Sequence, residues 1–210
     1  VNHSVVVPGL FGNKLSKPNP VVYDFFDDGK YKRKSIEVAK KLLAEAGYPN
    51  GRDSKTGQPL VLNYDTKGVG PGYKARLDWV AKQFAKLNIQ IEIRNTDYNR
   101  FQDKMRKGSS QFFFWGWLAD YPDPENFLFL LYGPNAKAKF DGENASNFAL
   151  PEFDLLFDRM KDLDDTPERA ELIGKMITLM QEEMPLLYGW SEEFGGAYHQ
   201  WVGNGKPSNI

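Results

Sequence analysis

Strand-like and helix-like segments alternate along the middle of the sequence, and this order constrains the fold more than any other feature. Alternating apolar residues predict strands over residues 60–66 and 89–93, and the near-continuous apolar run 111–117 predicts a strand covered on both faces. Between those strands, apolar residues at helical spacing predict a helix over residues 73–87 and another that Thr96 or Asp97 caps and that runs through Lys107. With right-handed crossovers, this β-α-β-α-β order predicts an α/β domain whose sheet is mostly parallel and flanked by helices.

Helical spacing continues on both sides of this region. It predicts a helix over residues 34–46, and two later helices over 151–161 and 166–184, the last with Thr166 as its N-cap. Residues 5–7 and 186–190 have the composition of short strands. We expect three regions, namely a loop-rich first segment over 1–30, a single α/β lobe over 31–195, and a tail or hinge-return segment over 196–210.

Composition limits the class of protein. The net charge of −1 gives no broad basic surface for nucleic acid. The absence of cysteine rules out disulfides, thiolate nucleophiles and cysteine-based zinc sites. No apolar run has the length needed to span a bilayer. The first eight residues lack the pattern of a signal peptide, so we expect either a mature form or a fragment.

The best-placed candidate site follows the strand predicted over residues 111–117, because ligands of open α/β sheets bind beyond the carboxyl ends of the strands. Trp115 and Trp117 share one face of that strand, and Asp120 follows three residues later. Two indoles beside a carboxylate suit an organic ligand that carries an ammonium group. The alternative is structural, with Asp120 or Asp123 capping the turn or the helix that begins near Glu125.

Other chemistries have weaker support in the sequence. A Ser-His-Asp triad would need His199 with Ser191 or Ser208, but no Gly-x-Ser-x-Gly elbow is present. The acidic residues that follow Asp120 lack the pattern of a calcium loop. We therefore expect no catalytic residues, no metal and no cofactor.

The segment Trp-Gly-Trp-Leu-Ala-Asp-Tyr-Pro-Asp-Pro, residues 115–124, resembles the Gly-Trp-x-x-Asp-x-x-x-Pro segment of the oligopeptide- and dipeptide-binding family of ABC-transporter solute-binding proteins. Residues 39–49, 83–93, 144–154 and 167–185 also resemble segments of that family, in the family's order. The helix that ends in Ala-Gly-Tyr is frequent elsewhere, but the ordered set over residues 23–190 is specific.

The resemblance implies a periplasmic-binding-protein-like lobe of type II, from a receptor whose two lobes close on a ligand. On this resemblance we expect most of the chain to correspond to the C-terminal lobe, with the N-terminal lobe missing. The implied protein is periplasmic or lipid-anchored and is not an enzyme. Its partners are a peptide or another small solute and an ABC-transporter permease in the membrane, with no nucleic acid.

By motif, the resemblance assigns to Asp120 the binding of a peptide's free amino terminus. Trp117 would line the pocket, and the main chain of residues 116–118 would pair with an extended peptide. The full set of expected ligand contacts is Phe114, Trp115, Gly116, Trp117, Leu118, Asp120, Tyr121 and Asn147.

One position departs from the family's pattern. Tripeptide-type binders can place an Arg three residues before the motif Trp, where this chain has Phe114, so Arg106 or the missing lobe would have to hold a ligand carboxylate. Phe114 and the two indoles leave an oligosaccharide or another small solute open as the ligand. Two other classes also stay open, namely a hydrolase or transferase that uses Asp120 and Asp123 as acid and base, and an interaction domain without a small ligand.

Overall fold

The computed structural model describes residues 2–68, 70–191 and 199–203. Contacts group the chain into two compact units. We call Pro20–Gly116 the sheet unit, and Val1–Asn19 together with Trp117–Ile210 the helical unit. These boundaries differ from those expected at residues 30 and 195, and the expected division stays a prediction. Residues 196–198 and 204–210 of the expected tail lie outside the described residues.

The sheet unit contains the predicted β-α-β-α-β order. Its elements are β1 (Tyr23–Phe25), β2 (Tyr31–Arg33), α1 (Ile36–Glu45), β3 (Val61–Thr66), α2 (Pro71–Ala85), β4 (Gln90–Asn95), α3 (Tyr98–Arg106) and β5 (Phe112–Phe113). Strands β4, β3 and β5 form a parallel sheet in that order, while β1 and β2 form a separate antiparallel pair. This confirms an α/β fold with a mostly parallel sheet and accompanying helices.

Local sequence signals explain where these elements begin and end. Asp97 caps α3, because its carboxylate accepts the N–H of Arg100 at 3.0 Å. Phe101 and Met105 are buried on the inner face of that helix. Gly108 has a φ of 59°, a left-handed conformation that suits the residue just beyond a helix end.

Three strand predictions differ from the structure. The strand expected over residues 111–117 is only Phe112–Phe113, because only these two residues pair with β3, with Tyr64 and Asp65. Residues 5–7 and 186–190 form no strand. The carbonyl of Gly189 instead accepts the N–H of Asn2 at 3.2 Å. The first strand of the β1–β2 pair lies in the segment over 1–30 that we expected to be loop-rich, where the only strand expected was at residues 5–7.

The helical unit is built on α6 (Pro151–Met160) and α7 (Pro167–Glu183), with the shorter α4 (Glu125–Leu128) and α5 (Lys137–Phe140) before them. Thr166 caps α7 as predicted, by accepting the N–H of Arg169 at 3.3 Å. The core of this unit consists of Val6, Leu128, Leu131, Phe153, Phe157, Met160, Leu172, Ile173, Met176, Ile177 and Met180. Among the described residues, no helix combines the length and apolarity needed to cross a membrane.

Candidate functional site

Three of the expected ligand contacts lie in the sheet unit, directly after the end of β5, namely Phe114, Trp115 and Gly116. The ring of Trp115 stacks on Phe101, with centroids 5.8 Å apart and planes at 21°. The ammonium of Lys67, just beyond the end of β3, lies 5.4 Å from the centroid of Trp115. The guanidinium of Arg76 lies 4.3 Å from the ring centroid of Phe114. Trp115 and Phe114 therefore each form a cation–π contact with a basic side chain of the same unit.

Gly116 completes this stretch of the sheet unit. It is exposed, and a Cβ built on it would meet nothing within 4 Å. The strand face on which Trp115 and Trp117 were expected to lie together does not exist, because β5 ends at Phe113. The two tryptophans instead belong to different units.

In the helical unit, the remaining residues of the motif form what we call the acidic loop, residues 117–125. The indole Nε1 of Trp117 donates to Oδ1 of Asn126 at 3.0 Å, and its ring meets that of Phe129 at a centroid distance of 5.3 Å. Leu118 and Tyr121 are 75% and 44% exposed. The loop therefore exposes the side chains of Leu118 and Tyr121 to solvent, while a hydrogen bond fixes the indole of Trp117.

Asp120 lies on this loop with its side chain exposed. Its backbone N–H donates to Oδ1 of Asn126 at 2.9 Å, which orders the main chain at this residue. Among the described residues, the carboxylate of Asp120 forms neither an ion pair nor a hydrogen bond. Its charge is therefore available to a cationic group from outside the unit.

The structural role that the sequence left open for either aspartate falls to Asp123. Its Oδ1 accepts the N–H of Glu125 at 2.7 Å, at the start of α4. Arg169 donates two hydrogen bonds to the same carboxylate, from Nη2 to Oδ1 at 2.7 Å and from Nη1 to Oδ2 at 3.0 Å. A carboxylate engaged in this way is poorly placed to act with Asp120 as an acid–base pair.

Arg169 is itself buried, and Nη1 also donates to Asp165 at 2.7 Å. Burial by itself would lower the pKa of Arg169, but the hydrogen bonds to Asp123 and Asp165 outweigh it and raise the pKa. The guanidinium is thus held in its charged form beneath the acidic loop.

Tyr121 and Asn147 make local contacts in the helical unit. The hydroxyl of Tyr121 donates to Glu125, and burial followed by this hydrogen bond raises the pKa of Tyr121. Asn147 has a φ of 54°, and its Oδ1 accepts the N–H of Ala138 at 2.8 Å near the start of α5. Its Nδ2 donates to the carbonyl of Ala145 at 3.3 Å, so both ends of the amide are used within the unit.

The residues of the weaker alternatives do not assemble a reactive centre in the part of the chain that is described. The hydroxyl of Ser191 accepts a hydrogen bond from Asn2 at 3.0 Å, and His199 stacks on Trp201 at 5.5 Å. Ser208 lies outside the described residues. No three described Asp, Glu or His side chains gather in an arrangement that would hold a metal ion.

Reasoning from sequence missed two residues that organise this site, Asn126 and Arg169. A polar residue directly before the apolar run Phe-Leu-Phe-Leu-Leu is a signal that could have identified Asn126, because a buried amide needs partners. Arg169 stood only within a family-like segment. No local pattern links it to Asp123, which lies 46 positions earlier.

Comparison with known proteins identifies the family of this chain. A family model described as bacterial extracellular solute-binding proteins, family 5 Middle, matches residues 4–139. Heme-binding protein A of Haemophilus influenzae is 26% identical, over 79% of this chain and 29% of its own length. The oligopeptide-binding protein OppA of Bacillus subtilis is 28% identical, over 80% of this chain and 30% of its own length.

Among solved structures, a dipeptide-binding protein from Pseudoalteromonas in complex with Met-Leu matches with a TM-score of 0.65 and 25% identity. That match covers 87% of this chain and 32% of the solved one. The chain therefore spans about a third of the length of the proteins that it matches. Because the family model covers more than half of its residues, the chain belongs to the bacterial extracellular solute-binding proteins of family 5.

Proposed function

We propose that the chain is a lobe of an extracytoplasmic receptor that captures peptides for an ABC importer, and that Asp120 binds the free amino terminus of the peptide. The observation that carries this proposal is the exposed carboxylate of Asp120, which has no cationic partner among the described residues. The oligopeptide-binding and dipeptide-binding relatives support peptides as the class of ligand.

The chemistry of the acidic loop suits an ammonium group. A charge-assisted hydrogen bond between an ammonium and a carboxylate contributes about 1.5–3 kcal/mol. Leu118 lies outside any strand, and its main chain forms no hydrogen bond with the described residues. An extended peptide pairing there would gain affinity from main-chain contacts, which tolerate many side chains.

The remainder of the receptor is also part of the proposal. We assign the chain to the C-terminal lobe, with a second lobe supplied by further polypeptide, since the relatives are about three times as long as the part that matches. Binding would favour a closed arrangement of the two lobes, which a membrane permease then recognises. The periplasmic relatives support a location outside the cytoplasmic membrane.

An uncharged solute such as an oligosaccharide is the second candidate. Phe114 favours it, because this residue is 38% exposed at a position where the family's pattern can place an arginine for a ligand carboxylate. Arg106, the other residue considered for that carboxylate, contacts Asp103 at 3.5 Å. Aromatic faces suit the apolar faces of sugar rings.

Calorimetry on the complete protein tests the role of Asp120. The probes are tripeptides of alanine, one with a free and one with an acetylated amino terminus, and a mannose oligosaccharide. We expect acetylation to weaken binding by at least about tenfold in the natural protein and to make little difference in Asp120→Asn. Asp164→Asn is the matched control, since Asp164 is an exposed aspartate elsewhere in the helical unit.

Two outcomes would count against the proposal. Equal affinity of the natural protein for the free and acetylated peptides would remove Asp120 from the role of amine ligand. Binding of the oligosaccharide without binding of either peptide would replace the peptide with the second candidate.

A further inference from the structure

We infer that Asn126 is the positioning residue of the candidate site, because its one amide oxygen orders both the indole of Trp117 and the main chain at Asp120. The consequence for peptide binding rests on the function proposed above. The positioning itself is a property of the unliganded protein and is measured without a ligand.

The geometry concentrates two donors on one atom. Oδ1 of Asn126 accepts Nε1 of Trp117 at 3.0 Å and the backbone N–H of Asp120 at 2.9 Å. An amide oxygen has two lone pairs, so these two hydrogen bonds saturate it. Asn126 is 2% exposed, so water does not readily replace either hydrogen bond. A shift of this one oxygen therefore moves the indole and the main chain at Asp120 together.

Asn126 is itself held from two directions. It lies in α4, next to Phe127 and Leu128, which are both buried. The first turn of α4 is held by Asp123, whose Oδ1 accepts the N–H of Glu125 at 2.7 Å. Asp123 is in turn gripped by Arg169 from α7. Hydrogen bonds from Arg169 to Asp123, and from the N–H of Glu125 to Asp123, therefore connect the core helix α7 to the start of α4, the helix that contains Asn126.

A purely structural role for Asn126 makes a different prediction from a positioning role. The main apolar core of the helical unit lies on α6 and α7, around residues such as Phe153 and Met176. Loss of the amide should therefore free the acidic loop while that core persists. If the amide served only stability, its loss would affect the whole unit alike.

The matched control is Asn144, a second buried asparagine of the helical unit. It is 0% exposed, and its Nδ2 donates to the carbonyls of Tyr132 and Phe148 at 3.1 and 2.8 Å. Among the described residues, Asn144 forms no hydrogen bond with Trp117 or Asp120. Asn144→Ala should lower stability without altering the environment of the Trp117 indole.

The test measures hydrogen exchange of the tryptophan indole N–H groups by NMR on the complete protein. The signal of Trp117 is assigned from its absence in Trp117→Phe. We expect Asn126→Ala to accelerate exchange at Trp117 by about tenfold or more, with the other indoles unchanged. Unchanged exchange at Trp117, or equal acceleration at every indole, would overturn the inference.

Asn126→Asp covers the case in which the alanine variant does not fold. This variant has the shape of the natural residue, and a carboxyl oxygen can accept both hydrogen bonds in either protonation state. We expect Asn126→Asp to keep the indole N–H of Trp117 protected from exchange. Loss of that protection, even if this is the only variant that folds, would also overturn the inference.

The peptide pair then links positioning to function. In Asn126→Ala, the preference for the free over the acetylated alanine tripeptide should fall at least about threefold. A preference equal to that of the natural protein would contradict the link to ligand binding. Failure of the natural protein to bind either peptide would count against the proposed function, whereas the exchange result at Trp117 would still decide the role of Asn126.

Discussion

Arg169 and Asp123 form a bidentate ion pair, with Nη2 donating to Oδ1 at 2.7 Å and Nη1 to Oδ2 at 3.0 Å. The arginine is on α7, and the aspartate is in the acidic loop. Side-chain exposure is 4% for Arg169 and 34% for Asp123, so the positive end of the pair is the desolvated one. This pair connects the loop that carries Asp120 to the core of the helical unit.

Removal of Arg169 should destabilise the helical unit more than removal of an exposed arginine. Arg169→Met removes the hydrogen bonds to Asp123 and Asp165 but leaves carboxylates that are 34% and 57% exposed, so we expect a cost of about 1.5–3 kcal/mol. Arg159→Met is the control, because Arg159 and Glu168 are 65% and 62% exposed and such pairs contribute about 0–1 kcal/mol. Urea unfolding measures both variants, and equal losses of stability would contradict the importance of burial here.

The two aspartates of the acidic loop should differ in their effect on stability. Asp120→Asn should change the free energy of unfolding by less than about 0.5 kcal/mol, because its carboxylate is exposed and unpaired among the described residues. Asp123→Asn removes a partner of buried Arg169 and should cost about 2 kcal/mol or more. Thermal unfolding of the two variants side by side is the measurement, and a larger loss for Asp120→Asn would refute this assignment.

Truncation of the α6 core face should be far more costly than truncation of its outer face. Phe153 is 0% exposed, and Phe153→Ala should cost about 3–5 kcal/mol through lost burial and the cavity left behind. Leu155 on the same helix is 67% exposed, and Leu155→Ala should cost less than about 0.5 kcal/mol. Chemical denaturation of both variants tests the assignment of the buried face, which would be wrong if the order were reversed.

Acid should weaken the cap of α3 through Asp97. Its hydrogen bond from the N–H of Arg100 lowers the pKa of Asp97 below its ordinary value of 3.8. A carboxyl group with a lowered pKa stabilises the fold at pH values above about 4, and this contribution is lost as the pH falls through the folded-state pKa. Asp97→Asn keeps a capping oxygen that does not titrate.

Melting temperatures of the natural protein and Asp97→Asn, compared between about pH 6 and pH 3, test this dependence. We expect the natural protein to lose more stability than the variant over that range. Parallel losses in the two proteins would show that Asp97 does not contribute to the acid sensitivity.

Local elements were predictable because their signals are local. The caps at Thr166 and at Asp97, one of the two candidates for α3, each use a side chain and an N–H three residues later, which the sequence places within reach of one another. The length of β5 was not predictable from its apolar run. It depends on which residues of the run pair with β3, only Phe112 and Phe113, and this pairing is a property of the assembled sheet.

The sequence by itself determined the α/β order, the helix caps and the family-like motif around Asp120, since these depend on spacing between near neighbours. Only the tertiary structure decided which polar groups of the acidic loop are used. Asp120 and Asp123 are the same residue type three positions apart, yet one carboxylate is exposed and the other is held by an arginine 46 positions away. The amide of Asn126 is buried for the same reason, because burial and long-range pairing arise only when distant segments pack together.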